Sequence, residues 1–399
     1  MQRRLWLSIG IIVLIAAGLA PALTASGQGS APSDPLLRLL HFVPDTPEAR
    51  QWVVYGDEAA WLQSWGVPRV DNVDQLDALD RDPHTYWMFI MPYQTVPPQV
   101  LGVNTFLGEN QRDYYGFDLF NADRFLEAGL PPQTISVIES SAEKQQIANT
   151  LIATGYQAQE LDGGGTLYSI LEDNQMALGQ NVALPRVGMT GGLNRIIVLD
   201  GQLIVGRATN VVESSLQAQQ GAIPSLAEDA VYTAAAQALD DESLSATGDL
   251  VGAIMIPQDA IAADIEALRQ SLIAQFGPEA LPPFDLVTFA TRHAPGATYL
   301  ILDVVFPAGT DAAAAADVLS NRLQNYVSLA TGQPFAERWT FDRATSIEID
   351  GLPVALVVMR VDDPPVAAEG EQANSAVFNW ITVIERRDLG FLLTGSLAQ

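Results

Sequence analysis

An α+β fold is what this sequence predicts, on three observations. Short aliphatic and β-branched runs alternate with segments of helical periodicity, and several runs meet at Asp-Gly or Gly turns. The strand–helix–strands order of the first half then returns in the second. A chain of 399 residues has room for two domains, each with its own core. The reading is two α+β domains, 36–245 and 246–399, either a divergent duplication or two unrelated units. Ahead of them stand a signal peptide or membrane anchor, 1–25, and a flexible tether, 26–35.

The first half opens with a strand at 52–55 (WVVY), then a helix to Trp65 with Asp57 placed to cap it. A strand at 134–139 (TISVIE) leads into a helix at 142–154, and strands follow at 157–161 and 166–171. Residues 194–199 (NRIIVL) and 202–207 (QLIVGR) flank Asp200-Gly201, a strong hairpin signal. Helices at 210–219 and 226–239 close this half. The second half repeats the order: a strand at 250–256 (LVGAIMI), a helix at 259–275, a strand at 298–306 and a helix at 311–329. Strands at 346–350 and 353–361 flank Gly351, and 378–385 (FNWITVIE) with 390–394 (GFLLT) is matched to the hairpin at Asp200-Gly201. Corresponding elements lie about 165 to 200 residues apart without shared identities. The polar run from Asp240 to Gly248 marks the boundary, and 362–372 (DDPPVAAEGEQ) reads as an exposed loop.

At the N-terminus Arg3-Arg4 precedes an apolar run, 5–19, and Ala20-Pro21-Ala22 fits the small-x-small pattern of a cleavage site. The run extends to Leu23, which also makes it just long enough to span a bilayer as a retained anchor with its basic end inside. Either way the folded part is expected to be extracytoplasmic, secreted or tethered by that segment. The chain has no Cys, which excludes both a lipid-modified cysteine and disulfides.

The net charge is −27, from 47 Asp+Glu against 20 Lys+Arg. Charged residues make up only 17% of the chain, below the roughly 25% of average proteins, so the imbalance is a shortage of bases. Lys144 is the sole lysine. Both halves share the deficit, with 28 acids to 10 bases in 26–245 and 19 to 8 after it. Nucleic acid is excluded as a partner on this ground, since phosphate binding rests on clustered Lys and Arg.

Most familiar chemistries lack their residues. Ser141 and Lys144 make a formal S-x-x-K, but the further lysine motif of penicillin-recognising enzymes is impossible. Ser140 with Glu143 reads instead as a capping box for the helix that follows. No Gly-Lys phosphate loop and no H-E-x-x-H exist, and Gly163-Gly164-Gly165 lies between strands as a turn. His41, His84 and His293 are far apart and expected at surface or loop positions. Asp71, Asp74, Asp77 and Asp80 recur every third residue, the wet face of a short helix in preference to a calcium loop. No cofactor, no metal site and no catalytic set is expected.

Aromatic residues cluster early. Trp61 and Trp65 stand four apart on one helix face, and Tyr114, Tyr115 and Phe117 are adjacent. These five are either core or an exposed patch able to stack on a sugar or anchor a partner. The opening VPDTP…VVYGDEAAW and the stretch RIIVLDGQLIVGRATNVVESSLQAQQGAIPSLAEDAVYTAA resemble exported bacterial proteins of an uncharacterised family, over about 42–239. The resemblance implies location and fold class and brings no catalytic residues. The expectation is an exported, envelope-associated ectodomain that binds an extracytoplasmic protein, peptide or glycan. The alternatives are a carboxylate-based hydrolase and a purely structural envelope component.

Overall fold

The computed structural model describes residues 34–71, 75, 78, 111–162, 164–175, 192–267, 272, 275–276, 280–329, 331–362, 383–384 and 386–395. The first half supplies strands β1 (Val53–Asp57), β2 (Ala122–Ala128), β3 (Ile135–Ser140), β4 (Gln157–Glu160), β5 (Thr166–Ser169), β6 (Arg195–Val198) and β7 (Gln202–Gly206). The second supplies β8 (Asp249–Pro257), β9 (Leu286–Ala294), β10 (Ala297–Val305), β11 (Thr340–Ile349) and β12 (Leu352–Asp362). All join one antiparallel sheet, ordered β11-β12-β10-β9-β8-β1-β2-β3-β7-β6-β5-β4. Strands and helices together make this an α+β fold.

The order reads the same outward from the middle. From β1 the path is β2, β3, β7, β6, and from β8 it is β9, β10, β12, β11. The two paths meet where β1 and β8 pair, with Val54 opposite Ile254. A pseudo-two-fold axis through that pair relates β1 to β8 at an offset of 200 residues, and the helices that follow them, α3 (Glu58–Trp65) and α8 (Gln258–Ala267), also start 200 residues apart. The hairpin β6–β7 turns at Asp200-Gly201, and its counterpart β11–β12 turns at Asp350-Gly351. That pairing corrects the sequence-based match of 378–394 to the first hairpin. Of that segment, Val383 and Ile384 are helical and Gly390–Leu392 is a 3-10 turn.

Helices cover both faces of the sheet, which explains why strands such as β1, β8, β10 and β12 are near-continuous apolar runs in place of alternating. On β10, Leu300, Leu302 and Val304 enter one core while Ile301 and Val305 enter the other. The first face packs against α3, α4 (Gln111–Tyr115), α5 (Lys144–Ala153) and α9 (Ala312–Asn325), through residues such as Trp61, Tyr115, Leu151 and Leu319. The second packs against α1 (Pro35–Leu40), α6 (Thr209–Gln219) and α7 (Ala230–Leu239). Helix α7 is alanine-rich, and small side chains let it lie close on β9, β10 and β12. The polar boundary run forms the 3-10 turn Glu242–Thr247, and the sheet continues across it through β1 and β8. Helix α2 (Pro47–Arg50) is a single turn between α1 and β1.

Asp57 caps α3 as expected, its Oδ1 accepting from the Ala60 N–H at 2.9 Å. The capping box of Ser140 and Glu143 does not form. Glu143 is the N-cap but makes no side-chain cap bond, while the Ser140 hydroxyl accepts from the Ala142 N–H at 3.1 Å at the end of β3.

Candidate functional site

Three cross-strand neighbours put a row of charges into the sheet. Asp57 ends β1 and faces Arg124 of β2, and Arg124 in turn faces Glu139 of β3. Arg124 donates from Nε to Asp57 Oδ2 at 2.5 Å and from Nη1 to Glu139 Oε2 at 3.1 Å. Arg38 of α1 lies over the row and grips Glu139 with both arms of its fork, at 2.9 and 3.0 Å. Tyr55, two residues before Asp57 and therefore on the same face, donates its hydroxyl to Asp57 Oδ2 at 3.2 Å.

Burial governs the electrostatics of this row. Loss of hydration pushes the Asp57 carboxyl up despite the Ala60 N–H and Arg124. Burial acts the same way on Glu139, but Arg38 and Arg124 together outweigh it and hold that carboxyl below its ordinary value. The Tyr55 hydroxyl is driven well above the usual phenol range by desolvation, reinforced by Asp57.

Tyr55, Asp57 and Arg124 of this row line a cleft of about 330 Å³ at the seam between the two halves. Asp34 before α1, Asp240 after α7, Asp249 at the start of β8, and Arg292 of β9 line it too. Arg292 is buried, at 9% exposure, and among the described residues bonds only backbone oxygens. Its Nε and Nη2 reach the Gly248 carbonyl at 2.9 and 2.5 Å, and its Nη1 reaches the Leu239 carbonyl. Desolvation lowers its pKa, against the pull of Asp240, Asp249 and Asp34, none of which forms an ion pair with it among the described residues. Gly248 makes this arrangement possible. Its φ is +83°, and a Cβ there would stand 1.9 Å from the His293 carbonyl oxygen. Asp34 caps α1 through Oδ1, accepting from the Leu36 N–H at 2.8 Å, while its buried Oδ2 has no hydrogen-bond partner among the described residues. Burial pushes its carboxyl up to about 6, opposed by the Leu36 N–H and assisted by Asp240.

The pseudo-two-fold axis supplies an internal comparison. Leu286 faces Pro257 as Arg124 faces Asp57, and Val305 faces Leu286 as Glu139 faces Arg124. Met255 stands where Tyr55 does in the first half. The row of charges is thus replaced by apolar residues in the second half. The related cleft, about 640 Å³, has Pro257, Phe284 and Leu286 in its lining, with Arg50, Asp259 and Asp285.

Of the two readings of the early aromatic residues, core and exposed patch, the structure gives the core. Trp61, Tyr115 and Phe117 are buried in the core of the first face, and Trp65 and Tyr114 are half-buried against it. Trp65 stacks on His293 at 4.1 Å between ring centroids, and His293 Nδ1 lies 2.8 Å from the Ser64 hydroxyl. His293 is therefore a buried strand residue, contrary to the surface or loop position expected. His41 is the half-buried C-cap of α1, while His84 lies outside the described residues, as do Asp74, Asp77, Asp80 and Gly163. Lys144 pairs with Asp200 at 3.6 Å. Among the described residues no three His, Asp or Glu side chains are grouped to hold a metal ion. No helix among them is long and apolar enough to cross a membrane; residues 1–25 lie outside them.

The residues lining the seam cleft were missed by sequence reasoning, apart from Asp57 as a cap. The available signal was a charge inside a short strand-like run, as in ADRFLEA and LVTFATRHA.

No protein-family model matches the chain, and no curated protein does either. Among solved structures it is similar to TP0453 in crystal form III, at 8% identity and a TM-score of 0.38, over 87% of this chain and 97% of that one. Crystal form I of the same protein gives 8% identity and a TM-score of 0.36, over 87% and 96%. At these values the likeness carries no statement about activity.

Proposed function

We propose that this chain is a non-catalytic binding module of the cell envelope, and that the seam cleft receives its ligand. The observation behind this reading is the asymmetry of the two related clefts. Burying Asp57, Arg124 and Glu139 costs desolvation that their mutual attraction only partly returns. Pro257, Leu286 and Val305 fill the same positions in the second half without charge. Charges kept where the fold works without them are a mark of function. Export is part of the reading and rests on Arg3-Arg4, the apolar run behind it and the small-x-small Ala20-Pro21-Ala22.

The state of Asp57 argues against a carboxylate-based hydrolase in which Asp57 is the second carboxylate. A hydrolase of that kind needs an acid facing a second carboxylate free to attack or to accept a proton. Asp34 has the raised pKa of an acid, but Asp57 already accepts from Ala60, Arg124 and Tyr55.

The test is a thermal-shift and NMR screen of peptides, amino acids and oligosaccharides, comparing the wild type with Gln63→Trp. Gln63 is exposed at the cleft rim, so the bulky residue obstructs entry without disturbing a core. Ligands that stabilise the wild type and not the variant support the reading. Equal responses from both proteins place binding elsewhere and reject it.

A further inference from the structure

We propose that the seam cleft holds a zwitterion, an amino acid or a short peptide, with its carboxylate on Arg292 and its ammonium against Asp34, Asp240 and Asp249. The inference rests on the cleft being the ligand site. Its first support is the unequal state of the two guanidiniums in the lining. Arg124 is half-buried and has two carboxylate partners, Asp57 and Glu139. Arg292 is more deeply buried, has no carboxylate partner among the described residues, and makes three hydrogen bonds, all to carbonyl oxygens. A guanidinium has five N–H donors, so two remain for a ligand. A desolvated guanidinium without a counter-anion is a place where an incoming carboxylate is strongly held.

A simple anion does not fit the rest of the cleft. Asp34, Asp240 and Asp249 line the same space, and the Asp34 Oδ2 is buried with no donor among the described residues. A phosphate or sulfate on Arg292 would face three carboxylates. A simple amine among those carboxylates would face Arg292 with nothing to neutralise it. Only a ligand with both charges answers Arg292 and the three carboxylates together. The volume, about 330 Å³, is at the lower end of the roughly 300–1,000 Å³ of small-molecule sites, which suits one amino acid or a dipeptide.

The charged and titratable groups around Asp34 are Arg38 of α1, Tyr55 and Asp57 of β1, Arg124 of β2, Asp240 beyond α7, Asp249 of β8 and Arg292 of β9. An ammonium against Asp34 favours its ionised form. Binding therefore expels a proton below about pH 6, and affinity falls about tenfold between pH 7 and pH 5.

The experiment is calorimetric titration of the full chain with L-alanyl-L-alanine and L-alanine. N-acetyl-L-alanine, L-alaninamide, inorganic phosphate and maltotriose serve as comparisons. The expected result is binding of a zwitterion, weakened at least tenfold when either end is blocked. Asp240→Asn, at an exposed position, should weaken it while leaving the melting temperature unchanged, and Asp34→Asn should abolish the pH dependence. Blocked forms binding as tightly as the zwitterions would overturn the proposal. So would maltotriose or phosphate binding that Gln63→Trp removes, although the cleft would then still be the ligand site. If no probe of any class bound, both the proposal and the reading beneath it would fall.

Discussion

Arg124 and Glu139 face each other across β2 and β3, and the residues facing each other at the related positions of β9 and β10 are Leu286 and Val305. One fold thus carries a charged and an apolar version of the same cross-strand pair. Removing only Arg124 leaves Asp57 and Glu139 buried without their shared partner. Arg124→Ala is therefore expected to cost about 3–5 kcal/mol in urea unfolding. The pair Arg124→Leu with Glu139→Val copies the apolar cross-strand pair of the second half but leaves the buried Asp57 without Arg124. It is expected to recover only part of that loss while abolishing ligand binding. A double variant as unstable as the single one would mean that the charges are structural, which the apolar counterpart argues against.

Gly248 offers a second test. It stands at φ +83° against the His293 carbonyl, where no side chain has room, and its own carbonyl receives Arg292. Gly248→Ala must move β8 away from β9 at the cleft. The expected outcome is a loss of stability of about 3 kcal/mol or more together with loss of ligand binding, read by melting and by calorimetry. A variant that melts within about 1 kcal/mol of the wild type would show that the strand end relaxes freely.

The contrast between what the sequence revealed and what it hid has a physical basis. Strands β1, β8, β10 and β12 were legible because burial on both faces makes them short apolar runs. Strands β2 and β9 were not, since Arg124, Glu127, Arg292 and His293 interrupt their apolar pattern. Those charges are tolerated only because of partners distant in sequence: Asp57 for Arg124, the Gly248 carbonyl for Arg292 and the Ser64 hydroxyl for His293. The strands that escaped notice are thus those that bring the two arginines to the cleft. Of the C-terminal run FNWITVIE, read as a strand from sequence, only Val383 and Ile384 are among the described residues, and they are helical. Asp388 just after it is buried and bonded by the hydroxyls of Tyr326 and Ser328. That anchor ties the segment to the end of α9.

Trp61 tests the reassignment of the aromatic residues. It is 1% exposed, beneath α3, 5.7 Å from the rings of both Trp65 and His293. Trp61→Ala is expected to destabilise the protein by about 3–5 kcal/mol, as large core truncations do. Were it part of an exposed binding patch, the same substitution would change melting little and affinity strongly. Chemical denaturation of the variant beside ligand titration separates the two outcomes.

Asp303 gives a prediction whose sign depends on pH. It lies on β10 facing the alanine-rich α7, opposite Thr288 of β9, and neither side chain has a hydrogen-bond partner among the described residues. Desolvation pushes its carboxyl well above the usual range, so the native state keeps a proton that the unfolded chain releases. Stability is then lost as pH rises from the ordinary carboxylate range toward the folded-state value. Asp303→Val removes both the unpaired polar atoms and the titration. The variant is expected to be more stable than the wild type at pH 7 by about 1–3 kcal/mol, with the gap closing near pH 4. Urea unfolding at a series of pH values measures this directly. A gap that stays constant from pH 4 to pH 8 would mean that Asp303 does not hold its proton, and that α7 leaves it a path to water.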